Sequence, residues 1–178
     1  GFQINIVAAL RKNIAGIIKD FNYLKSKRQI PGDSALVVAG PRGWLYEEVL
    51  KIHRDSPHKD CIHFIGPVEE EDKPFLYRLS KVFVYPSFFE GFGFPPLEAM
   101  SAGVPVVTSR VSSLPEVAGE AAMLVDPYNF KEIAEAMKNL FLDDKLREFY
   151  IKKGLGRVQK FSWRKTAEET LQVLTSAQ

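Results

Sequence analysis

The chain predicts an α/β fold built on a doubly wound parallel sheet, and three observations carry that prediction. Short apolar, β-branched runs recur along it, several of them are apolar throughout rather than alternating, and amphipathic stretches fill the gaps between them. A strand covered by helices on both faces reads as a continuous apolar run. Strands that alternate with helices wind into such a sheet.

The strand candidates, in order, are "INIVAAL", "ALVVAG", "CIHFIG", "VFVYPS", "VPVVTS" and "AAMLVDP". The first helix candidate is "NIAGIIKDFNYLKSK", residues 13 to 27, where Ile14, Ile17, Ile18, Phe21 and Leu24 form one apolar stripe. Asn13 is placed to cap it, because a short amide can accept from the first free N–H groups. "GWLYEEVLKIHRD", "EDKPFLYRLSK" and "PPLEAMSAG" predict further helices, with Pro96 tolerated in a first turn and Gly103 at a C-terminal cap. From about residue 128 the chain reads as helix nearly to its end, with breaks near Asp143–Asp144 and at Phe161–Ser162, where Ser162 is a candidate cap. The expectation is one domain over residues 1–178 with a helical tail.

Composition narrows the function classes. A length of 178 residues suits a single domain with a sizeable core. A formal net charge of +2 is too small to point to nucleic acid or an anionic membrane as main partner. The single cysteine, Cys61, leaves no disulfide framework and makes a cytoplasmic, reducing setting the default. No apolar run has the length of a membrane span and no signal peptide is visible. His53, His58 and His63, five apart, share no helical face, so no metal site is expected. There is no D-x-D pair to hold a metal beside a phosphate, and Asp143–Asp144 reads as a surface helix break. Phe161 and Trp163 read as packing anchors, while Trp44 is open to either packing or a ligand.

In open parallel sheets, ligands bind beyond the carboxyl ends of the strands. Two loops on that edge stand out: "AALRKN" after the first strand, and "SFFEGFGFPP", residues 87 to 96. In the second, Gly91 and Gly93 let the backbone approach a ligand closely. Their N–H groups, ahead of a helix start, would favour an anion. Glu90 and Glu98, with seven residues between them, would instead face neutral hydroxyls, since a carboxylate accepts from two neighbours at once. One acid for each sugar with a pyrophosphate between them is the geometry of a nucleotide-sugar. The phenylalanines Phe88, Phe89, Phe92 and Phe94 are expected to pack the base of the loop and keep it dry, with some of the rings left exposed in this chain. On residue types alone, Glu98 serves equally well as a favourable partner for a helix dipole.

The stretch "EGFGFPPLEAMSAGVPVV" resembles the signature of retaining glycosyltransferases of family 4, whose E-x7-E motif lies in the C-terminal half of a two-domain GT-B fold. "RKN" at 11–13, "LVVAGPRGW" at 36–44, "IHFIGPVEEED" at 62–72, "LPEVAGEAAMLVDP" at 114–127 and "FSW" at 161–163 extend the likeness in order. The resemblance implies a Rossmann-like, C-terminal half of a GT-B enzyme with extra C-terminal helices. It also implies that the N-terminal acceptor-binding domain lies outside this sequence and that the chain alone does not turn over.

Roles follow from the same resemblance. Glu98 would hold the ribose hydroxyls, and Glu90 would lie at the transferred sugar. The amides of Gly91, Phe92 and Gly93 would touch sugar and distal phosphate, and Val68 would lie near the base. Lys12 would neutralise the diphosphate as it leaves; Arg11 is either its companion or a solvated side chain. The donor is expected to be a nucleoside diphosphate-sugar, with no cofactor and no metal. The acceptor would be a glycan, lipid-linked or other hydroxyl compound. Membrane association through the full-length enzyme stays open. A binding module without turnover, or a GT-B epimerase or hydrolase, would use the same residues. Where family members carry a glycine at the end of strand one, this chain has Ala8 and Ala9.

Overall fold

The computed structural model describes residues 4–9, 13–41 and 46–176, with the side chains of 4–9 and of Tyr46 left aside. Six strands form one sheet: β1 (Ile4–Ala9), β2 (Ala35–Ala39), β3 (Ile62–Gly66), β4 (Val82–Tyr85), β5 (Val106–Ser109) and β6 (Met123–Val125). Their order is β3-β2-β1-β4-β5-β6, and every neighbouring pair is parallel. All six expected strands are present. The helices are α1 (Ile14–Ser26), α2 (Tyr46–Arg54), α3 (Lys73–Arg78), α4 (Phe94–Ser101), α5 (Leu114–Ala118), α6 (Phe130–Leu142), α7 (Asp144–Val158) and α8 (Trp163–Ser176).

Strand order turns back between β1 and β4, which makes their carboxyl ends the switch point of the sheet. The two loops singled out from the sequence leave from those two strands. The central strands are apolar throughout because each feeds two cores. Leu36, Val38, Val82 and Val84 face α1 and α6, whereas Val37, Phe83 and Tyr85 face α4 and α5. On the first face Ile17, Ile18 and Phe21 of α1 are fully buried, each stabilising the fold by about 1.5–3 kcal/mol. The edge strands β3 and β6 are only partly buried.

Helix ends follow local chemistry, with one correction. Gly103 adopts φ +76, donates to the Met100 carbonyl, and Val104 donates to that of Ala99. That closes α4 as its glycine promised. Asn129, Asp143 and Ser162 each accept from the backbone N–H three residues on, starting α6, α7 and α8. Asn13 does not cap α1. It sits in the left-handed region with no capping hydrogen bond, because its amide is used elsewhere: Nδ2 donates to the Pro127 carbonyl at 2.8 Å. The side chain thus ties α1 to the β6–α6 loop. Cys61, expected in a strand, lies in the 3-10 turn just before β3 and is half-buried.

No helix among the described residues is long and apolar enough to cross a membrane. Nor does any group of three or more His, Cys, Asp and Glu stand placed to hold a metal there. His53 and His58 bond separately, to the Lys59 carbonyl and to Ser26.

Asp20, on α1, is fully buried and neither carboxyl oxygen has a hydrogen-bond partner. Burial pushes its pKa up to about 8, with Lys19 opposing the shift. The native state therefore keeps a proton that the unfolded chain gives up near pH 4. Stability contributed by this site falls as pH rises from about 4 to about 8, by up to about 1.4 kcal/mol per pH unit. Asp20→Asn should flatten that decline, measured as the difference in denaturant midpoints between pH 5 and pH 8. An identical decline in both proteins would contradict the assignment.

Candidate donor site at the sheet switch point

Glu98 lies in the second turn of α4, too far along the helix to act chiefly on its N-terminal dipole. Its Oε2 accepts from the Tyr77 hydroxyl at 2.9 Å. Glu90, in the β4–α4 loop, is held likewise: the Tyr85 hydroxyl donates to its Oε1 at 2.6 Å. Burial first, and then Glu98, push the Tyr77 phenol far above its ordinary range. For Tyr85 burial is again the larger cause, followed by its hydrogen bond to Glu90. Both phenols stay protonated donors at any ordinary pH. Each carboxylate accepts from a tyrosine hydroxyl, a neutral donor that orients it.

The two tyrosines belong to one aromatic row. Tyr77 meets Phe83 edge-on with centroids 5.1 Å apart, and Phe83 stacks on Tyr85 at 5.9 Å. This row fills the place expected for the loop phenylalanines. Phe88, Phe89, Phe92 and Phe94 instead stand outside, between 39% and 74% exposed. Phe83 and Tyr85 point inward from a central strand, so no room is left for the loop rings below. Phe92 packs edge-on against Phe161 at 6.0 Å, and Phe94 stacks on the exposed Trp163 at 6.0 Å. Phe88 leans the other way, onto Tyr128 at 4.9 Å.

Serines shape the loop. The Ser113 hydroxyl donates to the carbonyls of Glu90 (3.1 Å) and Phe92 (2.7 Å). Ser112 donates to the Glu90 carbonyl and accepts from its N–H, and Ser109 donates to the Ser87 carbonyl. Gly93 has φ +110, and a Cβ there would lie 2.7 Å from Leu114 Cδ2. Conformation and space both require glycine. Gly91 is different, since a Cβ on it would meet nothing within 4 Å. The amides of Gly91, Phe92 and Gly93 make no hydrogen bond among the described residues, which leaves them as donors for an anion.

A cleft of about 380 Å³ opens beside Glu98. Its walls include Gly40 after β2, Pro67 and Val68 after β3, Tyr77 of α3, and Pro95. The fold thus brings Val68 and Glu98 to one cleft. Lys12 and Arg11 lie outside the described residues, as does Trp44. Neither Tyr77 nor Tyr85 was singled out from the sequence. Their side chains meet acids 21 and 5 residues away, and the only signal was a tyrosine ending each of two short apolar runs, "PFLY" and "VFVY".

Comparison with known proteins bears on the family and the fold. The chain is 39% identical over 163 residues to the O-antigen chain mannosyltransferase B of Escherichia coli, covering 90% of this chain and 42% of that one. It is 31% identical over 166 residues to an Escherichia coli serotype-specific mannosyltransferase, WbdA, covering 93% of this chain and 20% of that protein. The chain therefore spans less than half the length of these relatives. A sucrose-phosphate synthase from Thermosynechococcus elongatus superimposes with a TM-score of 0.84 at 25% identity, over 99% of this chain and 46% of that one. An Escherichia coli trehalose-6-phosphate structure bound with UDP-2-fluoro glucose shares the fold, with a TM-score of 0.74 at 14% identity over 89% of this chain and 41% of that one. The profile of one family matches residues 6–157, and with that match the chain belongs to the glycosyl transferases group 1 family.

Proposed function

We propose that this chain is the C-terminal, donor-binding half of a retaining GT-B glycosyltransferase. It would move a hexose from a nucleoside diphosphate-sugar to a hydroxyl acceptor, with an N-terminal half supplying the acceptor side. The observation that carries the reading is the pairing of Glu98 and Glu90, each on its own tyrosine donor, at the switch point of the sheet. Mannose is the first sugar to test, since the relatives named above are mannosyltransferases.

In this reading the ribose hydroxyls donate to Glu98, the base lies along Val68 and Gly40, and the diphosphate meets the free amides of Gly91 to Gly93. Glu90 receives hydroxyls of the sugar. The bond between the anomeric carbon and the phosphate oxygen breaks, and the acceptor oxygen attacks the same face. The acceptor proton passes to the departing phosphate, whose charge Lys12 offsets. No protein base is needed for that step. Arg11 is assigned as a second cation for the diphosphate. A nucleotide-sugar binding module would use the same contacts without the transfer, and an epimerase or hydrolase would lack the acceptor; product analysis on the longer enzyme separates these.

Calorimetric titration of the chain with GDP, UDP and ADP should show one preferred nucleotide. Glu98→Gln should weaken it by about 10-fold or more, the loss of a charge-assisted hydrogen bond. Tyr77→Phe should weaken it by only about 3- to 10-fold, since it removes a neutral donor that orients the acid. Unchanged affinity in Glu98→Gln would remove the ribose assignment.

Transfer by the longer enzyme is expected to persist in excess chelator. Loss of turnover that added magnesium or manganese restores would assign the diphosphate charge to a metal instead of Lys12.

A further inference from the structure

On the face of the sheet opposite the nucleotide cleft, a second groove of about 520 Å³ runs between α1 and the β6–α6 loop. That volume falls in the range of about 300–1,000 Å³ typical of ligand sites. Four aromatic rings line it: Tyr23, Phe88, Tyr128 and Phe130. They are between 40% and 77% exposed, and they touch one another in pairs. Phe88 and Tyr128 lie 4.9 Å apart, and Tyr23 meets Phe130 edge-on at 6.5 Å. Rings left this open to water gain by being covered.

The groove is not only apolar. Lys19 and the two tyrosines bring polar groups to it. At its inner wall lies Asp20, sealed from solvent, with neither oxygen hydrogen-bonded. A buried polar group without a partner is costly and calls for one. The matching ligand has apolar C–H faces to lie on rings and hydroxyls around its edge. A pyranose has both.

Position supplies the remaining argument. The β4–α4 loop joins the two sites: Phe88 lines this groove, Phe94 lines the nucleotide cleft, and Glu90 lies between them in the chain. Asn13 anchors the groove's floor through its bond to the Pro127 carbonyl.

We propose that this groove is a glycan subsite, which holds a pyranose chain running away from the point of transfer across Phe88, Tyr128 and Tyr23. The proposal rests on the donor-half reading and extends it. Part of the acceptor is then bound by this domain and not by an N-terminal half alone.

The test titrates the chain with linear mannotetraose and maltotetraose, each to about 10 mM, where a ligand of millimolar Kd nears saturation. Saturation-transfer NMR reads the contact, and calorimetry with the preferred nucleotide runs in parallel. At least one oligosaccharide should bind. Tyr128→Ala and Phe88→Ala should each weaken it by about 5- to 20-fold, as expected for loss of one stacked ring. Nucleotide affinity should not change. Both residues are exposed, so their loss does not threaten folding.

Nucleotide binding with no contact to either oligosaccharide would overturn the subsite and leave the donor reading standing. Oligosaccharide binding that Tyr128→Ala and Phe88→Ala leave intact would place the sugar elsewhere and overturn it too. Absence of nucleotide binding would be the failure of the donor reading itself.

Discussion

The backbone of the β4–α4 loop is fixed by hydroxyl groups from the neighbouring β5–α5 connection, and the site depends on that restraint. Ser109, Ser112 and Ser113 bond carbonyls at Ser87, Glu90 and Phe92, so the eight-residue span between β4 and α4 keeps one shape. Gly93 completes the restraint by letting the chain turn at φ +110 directly against Leu114. With carbonyls occupied in this way, the loop's amides at Gly91, Phe92 and Gly93 have no hydrogen-bond acceptor among the described residues. A loop held by its own phenylalanines would have had to bury them, and would then have displaced the aromatic row that fixes the two acids.

That row explains how two carboxylates are held beside a diphosphate in the proposed donor site. Unit charges 4 Å apart interact by about 1 kcal/mol in water and about 4 kcal/mol at the effective dielectric of a protein surface. Carboxylates free to swing towards a diphosphate would oppose it by that amount. Tyr77 and Tyr85 remove the freedom. Each spends one hydroxyl to hold an acid at its place, and burial keeps both hydroxyls protonated. The stack through Phe83 joins the two clamps, one from α3 and one from β4, in a single aromatic row.

Much of this architecture was legible in the chain. Strands buried on both faces leave uninterrupted apolar runs, and "VFVY" and "PVVTS" could hardly be anything else. The α1 stripe and the caps at Ser162 and Gly103 were readable for the same reason: they depend on residues within one helical turn. The failures share the opposite cause. Asn13 looks like a cap until Pro127, 114 residues away, takes its amide. The loop phenylalanines were placed inside because apolar identity does not say which neighbour already occupies the space. Asp20 lies outside the apolar stripe of α1 and nothing local in the sequence marks it, yet it is fully buried. The five-residue α5 was not marked as a helix, being too short for a periodic pattern to show.

The distribution of aromatic rings around the switch point follows from the same division of labour. Inward rings at Tyr77, Phe83 and Tyr85 hold polar groups in place. The outward rings sort to two sides of Glu90: Phe92 and Phe94 against the α7–α8 junction, and Phe88 against Tyr128. Neither outward group is needed to fix the loop, because the serines already do so. Their cost in exposed apolar surface is therefore not offset by anything they do for the backbone, and it is recovered only when something lies on them. On the α1 side the rings border polar groups and an unpaired acid, which suits a hydroxylated ligand. On the α8 side they border a helix with no buried residue, which suits a broad apolar contact. The two flanks of one loop are thus chemically distinct surfaces, with the two tyrosine-held carboxylates on the ground between them.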